Sequence, residues 1–267
     1  MFLRRIGPAS PESCDGGQHD AASPRKIVSV HFPKAAGTSL RKQFVALLGD
    51  AVYTDYGHDP LTAPGAKAVA FPEGRRVVHG HFRADRYVCP DAYLITFLRE
   101  PVDNLISTYF YWRGFRKPGN ELMARFLRDK PSLVEFATYP GIQRLMSETY
   151  FGGFDMERFD FIGFHETRDR DIHALASVLN LDLDASIRDN KTRATIGRLW
   201  TAMDRNTIKR VKHHLVDDID FYNRTMATRG NSSRAQSHIA APAALEHVAL
   251  RLNRPPAVIA NAIQSKG

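Results

Sequence analysis

The sequence predicts an α/β fold in which a central parallel sheet is flanked by helices. Short runs rich in β-branched and aromatic residues, at 27–32, 76–79, 93–98 and 160–164, are typical of buried strands. Helical apolar patterns follow the first, third and fourth of these runs. A chain of 267 residues that is 43% hydrophobic and 25% charged is long and apolar enough for one large domain. Strands that alternate with helices indicate a parallel sheet covered on both faces.

The first strand leads through the loop Pro33 to Ser39 into a helix whose apolar face carries Leu40, Phe44, Leu47 and Leu48. A strand, a loop and a helix in this order direct backbone N–H groups and the positive end of the helix towards an anion. The segment is therefore a candidate cradle for a phosphate-like group, and we call it the cradle loop.

The composition of the cradle loop agrees with anion binding. Gly37 allows close backbone approach, and Lys34 supplies a mobile positive charge. Thr38 and Ser39 supply hydroxyl donors. The alternative is an ordinary turn in which Thr38 or Ser39 caps the following helix.

The other predicted strands also end in polar residues. The second ends at the His-Gly-His segment that contains His79 and His81. The third ends at Arg99 and leads into a helix that begins at Pro101, where the missing N–H costs nothing. The fourth leads into a helix for which Thr167 is the expected N-cap. Since ligands of parallel sheets bind outside the carboxyl ends of the strands, we expect these residues and the cradle loop to share a site.

The cradle loop differs from the phosphate loop of nucleotide hydrolases, in which the Lys directly precedes the hydroxyl residue. Here Lys34 lies before Gly37, and no predicted strand ends in the Asp that would hold magnesium. The third strand ends in Arg99, and Ser107 lies about two helical turns further on, within reach of one further phosphate. The pattern predicts two anion sites held by protein groups. The alternative is that Arg99 pairs with an acidic neighbour and Ser107 lies on a helix surface.

Two segments in this order resemble PAPS-dependent sulfotransferases, which use 3′-phosphoadenosine 5′-phosphosulfate (PAPS) as donor. Residues 33–40, Pro-Lys-Ala-Ala-Gly-Thr-Ser-Leu, resemble their 5′-phosphosulfate loop, and residues 98–107, Leu-Arg-Glu-Pro-Val-Asp-Asn-Leu-Ile-Ser, resemble their 3′-phosphate element. The resemblance covers about residues 26–226 and implies a single P-loop-kinase-like domain that requires no metal. The cofactor-binding positions that it implies are Lys34, Ala36, Gly37, Thr38, Ser39, Leu40, Arg99 and Ser107, with Lys191, Thr192 and Arg193 in a later loop that closes over the cofactor.

The branch that the sequence resembles is that of carbohydrate sulfotransferases similar to heparan uronyl 2-O-sulfotransferases and their bacterial relatives. The His-Gly-His segment lies between the two motifs, and an aromatic and basic run at 109–113 follows the second. The resemblance implies His81 as the general base, with His79 as its backup or as a substrate-orienting partner. A neutral His can accept a hydroxyl proton at pH 7. Lys34 would neutralise charge on the departing phosphate.

The expected acceptor is a carbohydrate or another hydroxyl-bearing molecule, anionic acceptors included. The segments 49–75 and 113–155 carry no motif and are expected to determine the specificity for the acceptor. Glu166 follows the fourth strand, and a structural role is preferred for its carboxylate over a substrate-binding role. Two alternatives from other classes are a magnesium-dependent nucleotide kinase and an inactive anion-binding protein.

The composition also bears on partners and location. A net charge of +8 and a pI near 9.6 favour phosphate-bearing partners. Nucleic acid is not expected, because the basic residues are spread along the chain without a recognition signature. Only two cysteines occur, and no signal sequence or membrane-length apolar run is present, so we expect a cytoplasmic protein without a membrane span. The expected organisation is a flexible leader at 1–25, the sulfotransferase domain at 26–228, and a linker with a C-terminal helical tail at 229–267.

Overall fold

The computed structural model describes residues 24–188 and 203–239. Five parallel strands form the central sheet, in the order β2-β4-β1-β6-β7. A separate pair, β3 and β5, is also parallel. The strands are β1 (Ile27–Val30), β2 (Val52–Asp55), β3 (Val69–Ala70), β4 (Val77–Gly80), β5 (Tyr87–Val88), β6 (Tyr93–Leu98) and β7 (Phe161–Phe164). The α/β class with a central parallel sheet is confirmed, and the order of the five strands is that of a P-loop-kinase-like domain.

Seven α-helices accompany the sheet in the described part of the chain. They are α1 (Gly37–Leu48), α2 (Pro101–Arg113), α3 (Glu121–Asp129), α4 (Leu133–Phe136), α5 (Arg168–Leu179), α6 (Arg205–His214) and α7 (Val216–Ile239). Short helical turns lie at Gly49–Ala51, Met156–Arg158 and His165–Thr167, and a π-helical segment lies at Leu145–Tyr150. None of the helices described is both long and apolar enough to cross a membrane.

Two buried clusters hold these layers together. The larger one surrounds the sheet and includes Phe44, Ile95 and Phe151, each at most 1% exposed. The smaller one joins α2 to α3, α4 and α6 around Trp112 and Phe136. The second cluster forms the wall that faces the end of the sheet where the strands finish.

The four predicted strands and the helix start at Pro101 are present, but several local predictions were wrong. The first strand ends at Val30, because the chain turns out of the sheet after His31 donates its N–H to Gly80 O at 2.8 Å. Leu47 is exposed and does not belong to the buried face of α1. Thr167 occupies the N-cap position of α5 as predicted, but its hydroxyl donates to Asp171 Oδ2 at 2.7 Å and makes no capping hydrogen bond.

The two segments that carry no motif contain secondary structure that their sequence did not predict. The stretch 49–75 holds β2 and β3, and the stretch 113–155 holds α3, α4 and the π-helical segment. Helix α7 continues through residue 228, where the domain was divided from the tail. That division stays a prediction, and residues 1–23 and 240–267 lie outside the described residues.

Candidate active site

A cleft of about 850 Å³ lies at the carboxyl ends of β1, β4 and β6. This volume is typical of sites for small molecules and cofactors. The register sets its floor, because Val30 of the central strand β1 lies level with Gly80 on one side and Thr96 on the other. Chain segments that leave these strands therefore enter the cleft side by side. The cations that line it are Lys34, Arg99, Arg168, Arg170 and Arg188, and the acids are Asp59, Glu166 and Asp169.

The backbone of the cradle loop adopts the left-handed region at two residues that are not glycine. Lys34 has φ 60° and Ala36 has φ 86°. Each such conformation costs roughly 1–2 kcal/mol for a residue with a β-carbon. Asn104 Nδ2 donates to Pro33 O at 2.7 Å, and Arg99 Nη1 donates to Lys34 O at 3.2 Å, and these bonds hold the loop in place. Left-handed residues in a turn bring successive N–H groups into a concave surface that binds anions.

Helix α1 starts at Gly37, with Ala36 as its N-cap, so neither Thr38 nor Ser39 takes the capping position that the alternative required. A β-carbon at Gly37 would lie 1.9 Å from His31 Cδ2. Only glycine therefore fits where the helix start passes over the His31 ring. Thr38 lines the cleft beside these residues.

Ser39 and Arg168 connect the starts of two helices. Ser39 is buried, donates to Ala36 O at 2.9 Å and accepts a bond from Arg168 Nη2 at 3.1 Å. The buried guanidinium also donates to Ala185 O at 2.7 Å and Ile187 O at 2.6 Å. Arg168 therefore ties the cradle loop, α5 and the chain at 185–187 together.

Arg99 and Ser107 both line the cleft, as the second anion site requires. Arg99 Nε is buried, and no described residue accepts a hydrogen bond from it. Burial lowers the pKa of Arg99, and burial together with the charge of Arg99 lowers the pKa of Lys34. Two partly buried cations with an unused donor are stabilised by a bound anion, so the residues present fit a phosphate-bearing donor.

A cluster of histidine and tyrosine side chains borders the cleft, and its members His31 and His81 line it. The rings of His31 and His81 stack with their centroids 4.2 Å apart. His31 Nδ1 lies 3.0 Å from the Tyr56 hydroxyl, and His81 Nδ1 lies 3.0 Å from the Tyr150 hydroxyl. Burial is the main cause that lowers the pKa of His81 below its usual 6.5. The side chain is therefore neutral at pH 7, as a proton acceptor must be.

Two of the predicted site residues do not reach the cleft. His79 is fully buried, and its Nδ1 atom lies 2.8 Å from Ser29 Oγ. His79 lies level with Ser29, two residues before His81 on the same strand face, and the packed sheet and Phe44 cover it there, so the backup-base role loses its access. Leu40 packs in the core, and its N–H donates to Ala36 O. Lys191, Thr192 and Arg193 lie outside the described residues.

An aromatic wall closes one side of the cleft. Tyr111 and Phe115 line it and are about half exposed, while Trp112 is buried against the second core cluster. Lys34 Nζ lies 4.0 Å from the centroid of the Tyr111 ring. The basic residues that follow in the sequence, Arg113, Arg116 and Lys117, do not line the cleft.

Glu166 has the structural role that was preferred for it. Its Oε1 atom accepts from Glu100 N at 2.8 Å, and its Oε2 atom accepts from the Tyr222 hydroxyl at 2.8 Å. Both carboxylate oxygens are thus used to join α2 and α7 to the end of β7. Among the described residues, no group of three or more His, Cys, Asp or Glu side chains is placed to hold a metal ion.

Sequence reasoning missed several residues of the site: His31, Tyr56, Asp59, Tyr150 and Arg168. One signal was available for His31. It follows the first strand just as His81 follows the second, and the ends of neighbouring parallel strands lie at one edge. The tyrosines and Asp59 come from segments without a motif.

The sequence matches no family model and no curated protein. Among solved structures, a sulfotransferase from Alicyclobacillus acidocaldarius is similar with a TM-score of 0.36 and 15% identity, over 72% of this chain and 96% of that one. Mouse sulfotransferase SULT7A1, complexed with PAP, is similar with a TM-score of 0.32 and 14% identity, over 70% of this chain and 66% of that one. The function of this chain is therefore inferred from its own cleft.

Proposed function

We propose that this chain is a sulfotransferase that moves a sulfuryl group from PAPS to an acceptor hydroxyl, with a carbohydrate as the acceptor. The observation that carries the proposal is that one cleft joins an anion cradle to a neutral histidine. Lys34, Arg99 and the cradle loop line one part, and His81 lines another. A donor with two anionic groups and an acceptor that must lose a proton need these two features together.

The donor end is assigned from the two sets of residues that the fold brings together. The N–H groups and hydroxyls of the cradle loop would hold the 5′-phosphosulfate, and Arg99 with Ser107 would hold the 3′-phosphate. PAPS supplies the sulfuryl group and leaves as 3′-phosphoadenosine 5′-phosphate. Lys191, Thr192 and Arg193 remain the proposed closing loop over this donor.

The chain's own residues supply the rest of an in-line displacement. His81 accepts the proton of the acceptor hydroxyl while the new oxygen–sulfur bond forms and the bond from sulfur to the phosphate oxygen breaks. Lys34 stabilises the negative charge that develops on the departing phosphate oxygen. In this structure its ammonium lies over the Tyr111 ring, 4.0 Å from the centroid, at the wall of the same cleft.

A sugar acceptor is supported by the exposed aromatic rings of the cleft wall. Tyr111 and Phe115 line the cleft and are exposed, and a pyranose ring can stack on aromatic side chains of this kind. The acceptor end also carries Asp59, a carboxylate that disfavours a polyanion close to His81. We infer that the hydroxyls of neutral or singly charged sugars are sulfated with a higher kcat/KM than those of polyanionic sugars. A cytoplasmic location remains part of this proposal.

The first test is calorimetric titration of the full chain with 3′-phosphoadenosine 5′-phosphate, without magnesium. We expect micromolar binding that is at least about tenfold weaker in Arg99→Ala, because a charge-assisted contact contributes about 1.5–3 kcal/mol. Arg116→Ala is the matched control, since Arg116 is exposed and does not line the cleft. Equal binding by both variants, or no binding at all, would contradict the donor site.

The second test separates the three functional classes. Transfer of radiolabelled sulfate from PAPS to a panel of neutral and anionic sugars is measured for wild type and His81→Ala. Transfer that falls about 10²–10⁴-fold in the variant supports the proposed base. Turnover of magnesium-ATP would instead favour a kinase, and donor binding without transfer to any acceptor would favour an inactive anion-binding protein.

A further inference from the structure

A chain of hydrogen bonds leads from Asp59 to His81 through a buried tyrosine. The Tyr150 hydroxyl donates to Asp59 Oδ1 at 3.1 Å and lies 3.0 Å from His81 Nδ1. Tyr150 is fully buried, while Asp59 and His81 both line the cleft. The backbone N–H of Leu61 also donates to Asp59 Oδ1, at 3.0 Å, which fixes the carboxylate in place.

The positions of the protons follow from what each group can do. An ionised carboxylate only accepts hydrogen bonds, so the single hydroxyl proton of Tyr150 points to Asp59. The hydroxyl oxygen is then an acceptor towards His81, and the Nδ1 atom of that ring must carry a proton. A neutral imidazole carries only one proton, so its Nε2 atom is an acceptor with a free lone pair.

We propose that Asp59 and Tyr150 are positioning residues that hold neutral His81 in the Nδ1–H tautomer and so present Nε2 to the acceptor hydroxyl. The catalytic meaning of this arrangement rests on the proposed function, whereas the tautomer is a property of the free protein. Neither Asp59 nor Tyr150 touches the transferred group in this scheme. They act through His81.

Among the described residues, the backbone of His31 offers His81 a competing hydrogen-bond acceptor. Besides the charge of Asp59, a backbone hydrogen bond to His31 raises the pKa of His81, so the His31 carbonyl is near enough to accept a proton from the ring. If the neutral ring carried its single proton on Nε2, the base would be blocked. The other titratable groups that face the ring are the stacked His31 imidazole, the Tyr56 ring with its centroid 5.0 Å away, and His79. The hydroxyl of Tyr150 therefore decides between two tautomers of opposite use.

The tautomer can be measured directly in the full chain by long-range ¹H–¹⁵N NMR of histidine side chains, with His81 assigned from its missing signals in His81→Gln. At pH 8 we expect a protonated, pyrrole-type Nδ1 and an unprotonated, pyridine-type Nε2. In Tyr150→Phe we expect His81 to become a mixture or to switch to the Nε2–H form. Tyr56→Phe is the matched control, because it removes the hydroxyl next to His31 and should leave the His81 tautomer unchanged.

An Nε2–H form of His81 in the wild type, or a Tyr150→Phe variant with an unchanged tautomer, would overturn the proposal. Thermal melting of each variant shows whether a loss of signal comes from unfolding. Where Tyr150→Phe does not fold, Asp59→Asn serves as the second variant. It keeps an acceptor oxygen but removes the charge, and we expect the population of the Nδ1–H form to fall.

The pH dependence of transfer adds a readout that a purely structural role would not move. The negative charge of Asp59 raises the pKa of His81, so Asp59→Asn should lower that pKa and shift the acidic limb of the kcat profile to lower pH. In Tyr150→Phe we expect kcat to fall by about 10- to 100-fold, less than the loss of the base itself. If NMR finds the Nδ1–H tautomer but no acceptor is sulfated, the positioning of His81 by Asp59 and Tyr150 is upheld and the proposed function fails. If transfer is found with the Nε2–H tautomer, the proposed function is upheld and the positioning of His81 by Asp59 and Tyr150 is refuted.

Discussion

The start of helix α1 leaves no room for a side chain between Gly37 and the ring of His31, since a β-carbon would lie 1.9 Å from His31 Cδ2. The position is therefore occupied by glycine because of the histidine below it. This contact joins the anion cradle to the histidine cluster, so a change at one should be felt at the other.

We expect Gly37→Ala to lower the free energy of unfolding by about 1–3 kcal/mol, because the ring or the helix start must move to admit the methyl group. The same movement should weaken binding of 3′-phosphoadenosine 5′-phosphate at least about tenfold, a loss of roughly 1.4 kcal/mol. Chemical denaturation and calorimetry measure the two effects. Gly119→Ala is the control, since nothing lies within 4 Å of a β-carbon there, and it should change stability by less than about 0.5 kcal/mol. Wild-type behaviour of Gly37→Ala would contradict the contact.

Substitution by glycine should change the free energy of unfolding in opposite directions at two neighbouring alanines of the cradle loop. Ala36 has φ 86°, so Ala36→Gly relieves backbone strain of about 1–2 kcal/mol at an entropic cost of about 0.5–1 kcal/mol. We expect a net gain in unfolding free energy of roughly 0.5–1 kcal/mol. Ala35 is fully buried without positive φ, so Ala35→Gly should lose about 1–2 kcal/mol. Denaturant midpoints of the two variants measure the difference, and a loss of stability in both would refute the strain.

Two arginines in the first turn of α5 should differ sharply in their contribution to stability. Arg168 is buried and donates to Ser39, Ala185 and Ile187, so Arg168→Met leaves buried carbonyls without partners. We expect a loss of about 2–4 kcal/mol. Arg170 is 75% exposed by side chain and pairs only with Asp171 at 3.0 Å in the described structure. Arg170→Met should change stability by less than about 0.5 kcal/mol, and similar losses in both variants would count against the proposed tie.

The buried histidines should make the fold sensitive to acid. Burial lowers the pKa of His79 to about 3, against 6.5 in the unfolded chain. Between these values the unfolded state binds the extra proton, so stability rises with pH and is lost as the pH falls from about 6.5. Each pH unit in this range contributes about 1.4 kcal/mol to the free energy of unfolding. Between pH 7 and pH 5 we therefore expect the free energy of unfolding to fall by about 2 kcal/mol less in His79→Gln than in the wild type.

Urea denaturation at the two pH values measures this difference. His173→Gln, which replaces an exposed histidine, is the control and should follow the wild type. A wild-type pH dependence in His79→Gln would show that His79 is not the buried neutral group described. The absolute stability of that variant is not decisive, since it also changes packing beside Phe44, whose ring centroid lies 6.0 Å from that of His79.

The sequence was sufficient for the central strands and the cradle because their signals are local. Strands β1, β4 and β6 are buried along most of their length, so they appear as continuous apolar runs. The edge strand β2 was missed because Tyr53 and Thr54 are exposed, which leaves no apolar run. Strands β3 and β5 have two residues each and carry no periodicity at all.

Helix α3 was missed for a different reason, since its signals were present. Asn120 caps it by accepting from Met123 N at 2.8 Å, and Glu121 follows in the first turn. The chain of hydrogen bonds from Asp59 through Tyr150 to His81 could not have been predicted from local signals. Asp59 and Tyr150 are 91 residues apart, and no local pattern links residues at such a distance. His79 was given a catalytic role because it shares a strand face with His81, and the sequence does not show that the packed sheet still covers this face at residue 79 and opens to the cleft only at residue 81.

The pairing of β1 with β4 determines which histidine reaches the cleft. Val30 lies opposite Gly80, and the next residue of each chain is a histidine whose ring stacks on the other. A shift of this pairing by one residue would place Gly80 where His81 stands and turn every side chain of β4 to the opposite face. Insertions in the exposed turn at 73–75 can be absorbed by the connecting chain, whereas a single deletion inside β4 would displace His81 from the ring that it stacks on. Divergent copies of this gene should therefore vary in length at 73–75 while keeping an unbroken spacing from Val77 to His81.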